Sequence, residues 1–202
     1  MKRLRLIVMV VAVMVMGVVA IACFRAREPR YQGRTLSDWI NSVESTQDVD
    51  PDRQAASHAI KQMAAEAIPV LLKWVQSANS PQMQKLIDWS QRHPSIHFML
   101  KDAELDREKA YRGFGLLGNE AKPAWPTFIQ WTYSTNTERR AWGFWSLART
   151  NPDKETLLPV LQRLIHDPDT RIQLWSARVF HQHYPEEAEA AGIHKMIPKL
   201  NK

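Results

Sequence analysis

Ile68-Pro69-Val70-Leu71-Leu72, Trp125-Pro126-Thr127-Phe128-Ile129, Leu158-Pro159-Val160-Leu161 and Ile197-Pro198-Lys199-Leu200 share one pattern. In each, a proline follows an apolar residue and opens a short apolar run of helical spacing. From Pro126 to Pro159 to Pro198 the two steps are of similar length. Both fall within the period of roughly 20–50 residues that marks stacked repeats, here helix pairs each unable to bury its apolar face alone. Proline fits the first turn of a helix, where its missing N–H would have had no partner, so each segment is predicted to begin a helix.

The helices between these prolines carry a pattern of their own. Ala56, Ile60 and Met63 match Ala110, Phe114 and Leu117, which recur as Ala141, Trp145 and Ala148. Gaps of three and four put each set on one helical face. A further copy begins at Arg171, where Leu174-Trp175-Ser176-Ala177 echoes Ala141-Trp142-Gly143-Phe144. Gly118-Asn119 suits the left-handed position that ends a helix. Asn151-Pro152-Asp153 and Asp167-Pro168-Asp169 are turns that also offer N-caps. Residues 30–202 show no sustained apolar/polar alternation, so no sheet is predicted. The step from Pro69 to Pro126 is much longer than the later ones. It leaves room for an inserted helix near Pro81–Ser90 and a loop around His93-Pro94, an insertion of about 79–103.

With these elements in place, the chain resembles a HEAT-type (armadillo-like) helical repeat protein over roughly residues 53–200. The resemblance implies an all-α fold: a right-handed α-solenoid of stacked antiparallel helix pairs over residues 35–202. Gly33-Arg34-Thr35-Leu36-Ser37-Asp38-Trp39-Ile40 resembles a leading motif of bacterial membrane-tethered proteins of this group. It implies a capping helix at about 35–46 that shields the first repeat.

Lys2, Arg3 and Arg5 precede an uncharged run, Leu6 to Phe24, rich in Val, Met, Ile and Ala. As a helix this run spans roughly 28 Å, close to the thickness of a bilayer core. It exceeds the usual apolar stretch of a cleaved signal peptide, which favours a signal anchor over residues 1–24. Val19-Ala20-Ile21-Ala22-Cys23 also resembles a bacterial lipobox, in which case Cys23 would be lipidated; otherwise Cys23 is a small hydrophobe in an apolar helix. Either way a short basic start stays inside and the domain is expected outside the cytoplasmic membrane, on the periplasmic side. A basic juxtamembrane linker, 25–34, carries Arg25, Arg27, Arg30 and Arg34, suited to anionic headgroups.

Cys23 is the one cysteine, so no intrachain disulfide joins the repeats and stacking must hold them. The formal charge is +6, from 27 basic and 21 acidic residues. Three of the basic residues lie in the targeting segment; the remainder balances 24 against 21, which argues against nucleic acid as a partner.

Counting from each repeat proline, positions +2 and +5 are apolar: Leu71 and Trp74, Phe128 and Trp131, Leu161 and Leu164. They are predicted to face the core, with the regularly placed tryptophans as packing residues. Positions +4 and +7 are polar: Lys73 and Gln76, Gln130 and Tyr133, Arg163 and His166. Those six residues define a ridge, read as a groove for an extended peptide or acidic helix, or as an ordinary solvated face. No metal site is expected. His181 and His183 are two apart, which turns their imidazoles roughly 200° from one another on a helix. No cofactor is expected either: Gly113-Phe114-Gly115 sits in a helical pattern without the strand–loop–helix context of a phosphate loop.

The expected function is a non-catalytic interaction or scaffold module, membrane-tethered, presenting its groove to a protein partner in the cell envelope. The alternatives are an envelope enzyme or chaperone-like maturation factor using the same groove, and a structural spacer.

Overall fold

A computed structural model describes residues 28–43, 50–93 and 102–193. The apolar run Leu6–Phe24, Cys23, Arg25, Arg27 and the last proline segment, Ile197–Leu200, lie outside these residues. Among the described residues no helix is long and apolar enough to cross a membrane. The described residues are all-α apart from one small hairpin.

That hairpin, β1 (Arg30–Tyr31) against β2 (Arg34–Thr35), is the sheet that alternation did not predict; two-residue strands are too short to alternate. Its two-residue loop has Gln32 at φ 49° and Gly33 at φ 79°, the positive pair a tight primed turn requires. The strands replace part of the expected basic linker. The Arg34 guanidinium lies 4.0 Å from the Trp39 ring centroid and donates to the Asp38 carbonyl oxygen, so it is held by its own domain. Arg30 is exposed.

Thr35 then caps α1 (Leu36–Asn41), its hydroxyl accepting from the Asp38 N–H while the Asp38 carboxylate accepts from the Thr35 N–H. The helix is shorter than the predicted 35–46. Its Leu36, Trp39 and Ile40 are buried, and Arg112 donates to the carbonyls of Ile40 and Val43, fastening its end to the helix that carries Arg112.

The remaining helices are α2 (Pro51–Gln62), α3 (Ala64–Val75), α4 (Pro81–Arg92), α5 (Ala103–Leu117), α6 (Trp125–Trp131), α7 (Thr137–Arg149), α8 (Lys154–Leu164), α9 (Thr170–His183) and α10 (Pro185–Ala190). A 3-10 segment, Gly118–Ala124, leads into α6. Packing steps along the chain: α3 on α5, α5 on α7, α6 on α7, α8 on α9 and α9 on α10, with α1 and α2 both reaching α5. α4 is the inserted helix that the long step from Pro69 to Pro126 called for.

The prolines behave differently from the prediction. Pro126 falls in the first turn of α6, but Pro69 and Pro159 sit inside α3 and α8. Both are preceded by about a turn of helix, Ala64–Ile68 and Lys154–Leu158, where the copy at Pro126 has its 3-10 segment. An interior proline forfeits one i→i−4 bond. Here the ring is exposed to solvent, where water can serve the freed carbonyl.

Positions +2 and +5 are buried in all three copies: Leu71, Phe128, Leu161 and Leu164 fully, Trp74 and Trp131 nearly so. Phe114 meets Phe128 edge-on, with ring centroids 4.8 Å apart. Gly143 permits the closest helix approach: a Cβ there would lie 2.8 Å from the Phe128 carbonyl oxygen. Trp145, predicted to pack like Phe114, is only half-buried, in a row with Trp142 (5.5 Å) and Trp175 (4.6 Å) on α7 and α9.

Candidate interaction groove

One hydrogen-bond pattern recurs at three turns among the described residues. The residue eight after each repeat proline is Ser77, Ser134 and Asp167 in turn. Its carbonyl oxygen accepts from the following long helix in every case: from Arg107 Nη1 (2.9 Å), Arg140 Nη1 (3.0 Å) and Gln173 Nε2 (2.6 Å). Those carbonyls belong to the turns that follow α3, α6 and α8. The three donors are evenly spaced along the chain, at the interval that separates Pro126 from Pro159. Gly118 and Asn151, the positive-φ residues that end α5 and α7, keep that interval too. The pattern search on apolar residues did not find this, because its signal is polar and one of the three donors is glutamine.

The first and second junctions differ in what else the donor holds. Arg140 is clasped by Asp167, its Nε and Nη2 each 2.9 Å from a carboxylate oxygen. Only 9% of the Arg140 side chain and 2% of that of Asp167 are exposed. Bidentate geometry and two carbonyl bonds, to Ser134 and Thr135, satisfy the buried charge. The hydrogen bond to Asp167 raises the Arg140 pKa, so the arginine stays charged at every working pH.

Arg107 has no such clasp. It reaches Glu104 on its own helix through Nε (3.1 Å) and Nη2, and Glu138 of α7 at 3.7 Å. Glu104 and Glu138 are 58% and 64% exposed, against 17% for Arg107. Beside it opens a groove of about 350 Å³, lined by the end of α3 (Val75–Ala78), by Trp131 and Asn136, and by Glu138, Arg139 and Trp142 of α7. The indole of Trp142 lies 5.9 Å from the Arg107 guanidinium.

Of the six ridge residues, Gln76 lines this groove. Lys73, Gln130 and His166 are exposed, and Tyr133 is 65% exposed. Arg163 is half-buried: its guanidinium stacks 4.0 Å from the Tyr133 ring centroid and donates to the Thr132 hydroxyl. Tyr133 and Arg163 are thus brought together across two helix pairs, and Arg163 is committed to the fold more than a ridge residue was expected to be.

His181 and His183 occupy the exposed last turn of α9, and no group of three metal-ligating side chains occurs among the described residues. No protein-family model, no curated protein and no solved structure matches this chain.

Proposed function

We infer that the chain is a non-catalytic interaction module: a short right-handed HEAT-like solenoid of antiparallel helix pairs, tethered outside the bacterial cytoplasmic membrane and binding a protein of the cell envelope. The single observation that supports this most is the recurrence of the carbonyl-capping bond at Ser77, Ser134 and Asp167. Chemically different donors serve one geometry, as stacked repeats require. The polar edge bearing Lys73, Gln76, Gln130 and Tyr133 is the surface offered to the partner. The basic start and apolar run of residues 2–24 support the tether.

The test is crosslinking in intact cells followed by purification of the full-length chain. Lys73→Glu combined with Gln130→Glu changes exposed side chains only, so helicity should hold while partner recovery falls. Undiminished recovery removes the ridge from the reading. Intact mass distinguishes a full-length anchored chain from one beginning at acylated Cys23.

A further inference from the structure

Position 134 is where the two junctions part. The turns that precede α7 and α9 are built alike: the Asn136 N–H donates to Ser134 Oγ (3.2 Å) as the Asp169 N–H donates to Asp167 Oδ1 (2.8 Å). The caps agree too, Asn136 for α7 and Asp169 for α9. Asp167 has a second carboxylate oxygen, and it extends to Arg140 of the preceding helix. Ser134 is one group shorter and carries no charge, and its hydroxyl is taken up within its own turn. The groove opens on that flank, bounded by Arg107 on one side and by Asn136 and Trp131 on the other.

We propose that this groove is a carboxylate-binding site, in which an acid group of the bound protein takes the place beside Arg107 that Asp167 takes beside Arg140. This rests on the interaction-module reading and names the chemistry its partner presents. The groove has the groups for it. Arg107 and Arg139 line it, balanced by Glu138 in the lining and Glu104 on Arg107, and the Gln76 and Asn136 side chains offer amide N–H groups. The carboxylates now at Arg107 are exposed ones, whose surface pairing is readily exchanged. The Ser77 carbonyl keeps Nη1 fixed, so the guanidinium is held in orientation before the ligand arrives. Trp131 and Trp142 wall the groove and lower its exposure to water, which strengthens a charge-assisted bond.

The acid is either a side chain or a chain terminus, and three short probes separate the two: Ac-Ala-Ala-Asp-Ala-NH2, Ac-Ala-Ala-Ala-Ala with a free terminus, and the fully capped Ac-Ala-Ala-Ala-Ala-NH2. Each is titrated into the full-length chain while the Arg107 Nε–Hε resonance, assigned with Arg107→Gln, is followed. A carboxylate peptide should move that resonance and the capped peptide should not; whichever acid peptide binds identifies the source. Ser134→Asp supplies the carboxylate internally. It should raise the thermal midpoint and weaken the probe by at least about tenfold, the scale of losing a charge-assisted pair. Movement by the capped peptide, or carboxylate binding unchanged in both Ser134→Asp and Arg107→Gln, overturns the site. Recovery of the envelope partner keeps the two readings apart. If Lys73→Glu/Gln130→Glu abolishes it and Ser134→Asp does not, the module stands and the carboxylate site falls.

Discussion

Arg107 and Arg140 hold equivalent places in successive helix pairs, each in the first half of a long helix and each capping the carbonyl that ends the preceding pair. Around Arg140 the side chain and its acid partner are buried; around Arg107 a groove opens. The acid that reaches Arg140 across the junction is Asp167; the matching turn has Ser134, and Arg107 is paired instead by the exposed Glu104 and Glu138. The backbone geometry of a junction and its sealing are therefore set by different atoms. The carbonyl-capping bond is shared by both junctions, and the buried carboxylate pair is found only at Arg140.

The sharpest way to break the comparison is Asp167→Ala. It leaves Arg140 buried with two carbonyls and only the more distant Asp169 as counter-charge, and should cost about 3–5 kcal/mol in urea unfolding. A loss below about 1 kcal/mol would mean that the two junctions are equally loose. Next in size is a pair of helix glycines, Gly143 on α7 and Gly115 on α5. Gly143→Ala sets a methyl against the Phe128 backbone and should cost about 1–3 kcal/mol. Gly115→Ala meets only the Arg149 side chain, which can move, and its gain in helix propensity of about 1 kcal/mol should leave stability nearly unchanged. Equal effects would place the helix contact elsewhere. Arg107→Gln should be milder still, about 1 kcal/mol or less, because its acid partners are exposed and the amide can still reach the Ser77 carbonyl as Gln173 reaches that of Asp167.

The smallest effect is in acid. Hydrogen bonding from the Asn79 side chain holds the Asp102 carboxyl below its usual range, and the Arg171 side chain does the same for Asp169. A depressed carboxyl stabilises the fold fully above its unfolded value of about 3.9 and loses that contribution as pH falls through the lower folded value. The thermal midpoint should therefore be level near neutrality and drop below about pH 4. Asp102→Asn and Asp169→Asn should each flatten that drop slightly, one at each junction. A midpoint already falling at about pH 6 would point to other groups.

Much of the scaffold was legible in the residues. Leu71, Trp74, Phe128, Trp131, Leu161 and Leu164 declared the core because apolar spacing of three from a fixed proline repeats their burial. The surplus between Pro69 and Pro126 declared α4. The hairpin at Gln32-Gly33 was hidden by the brevity of its strands, and the helix starts at Ala64 and Lys154 by reading proline only as a first-turn residue. Of the candidate site, the sequence pointed to Gln76 and to the neighbourhood of Tyr133 and Arg163, but not to Arg107. Arg107 becomes visible only when polar positions are compared at the same interval as apolar ones, because its role is defined by a contact across the junction and by a serine at position 134 where the next turn has Asp167.

The row of indoles on α7 and α9 has a consequence of another kind. Trp145 lies 5.5 Å from Trp142 and 4.6 Å from Trp175, one neighbour on its own helix and one on α9. Aromatic transitions this close share their excitation, so the protein carries an intrinsic optical gauge of the α7–α9 separation. Its circular dichroism in the indole bands would register a shift between those two helices with no label attached.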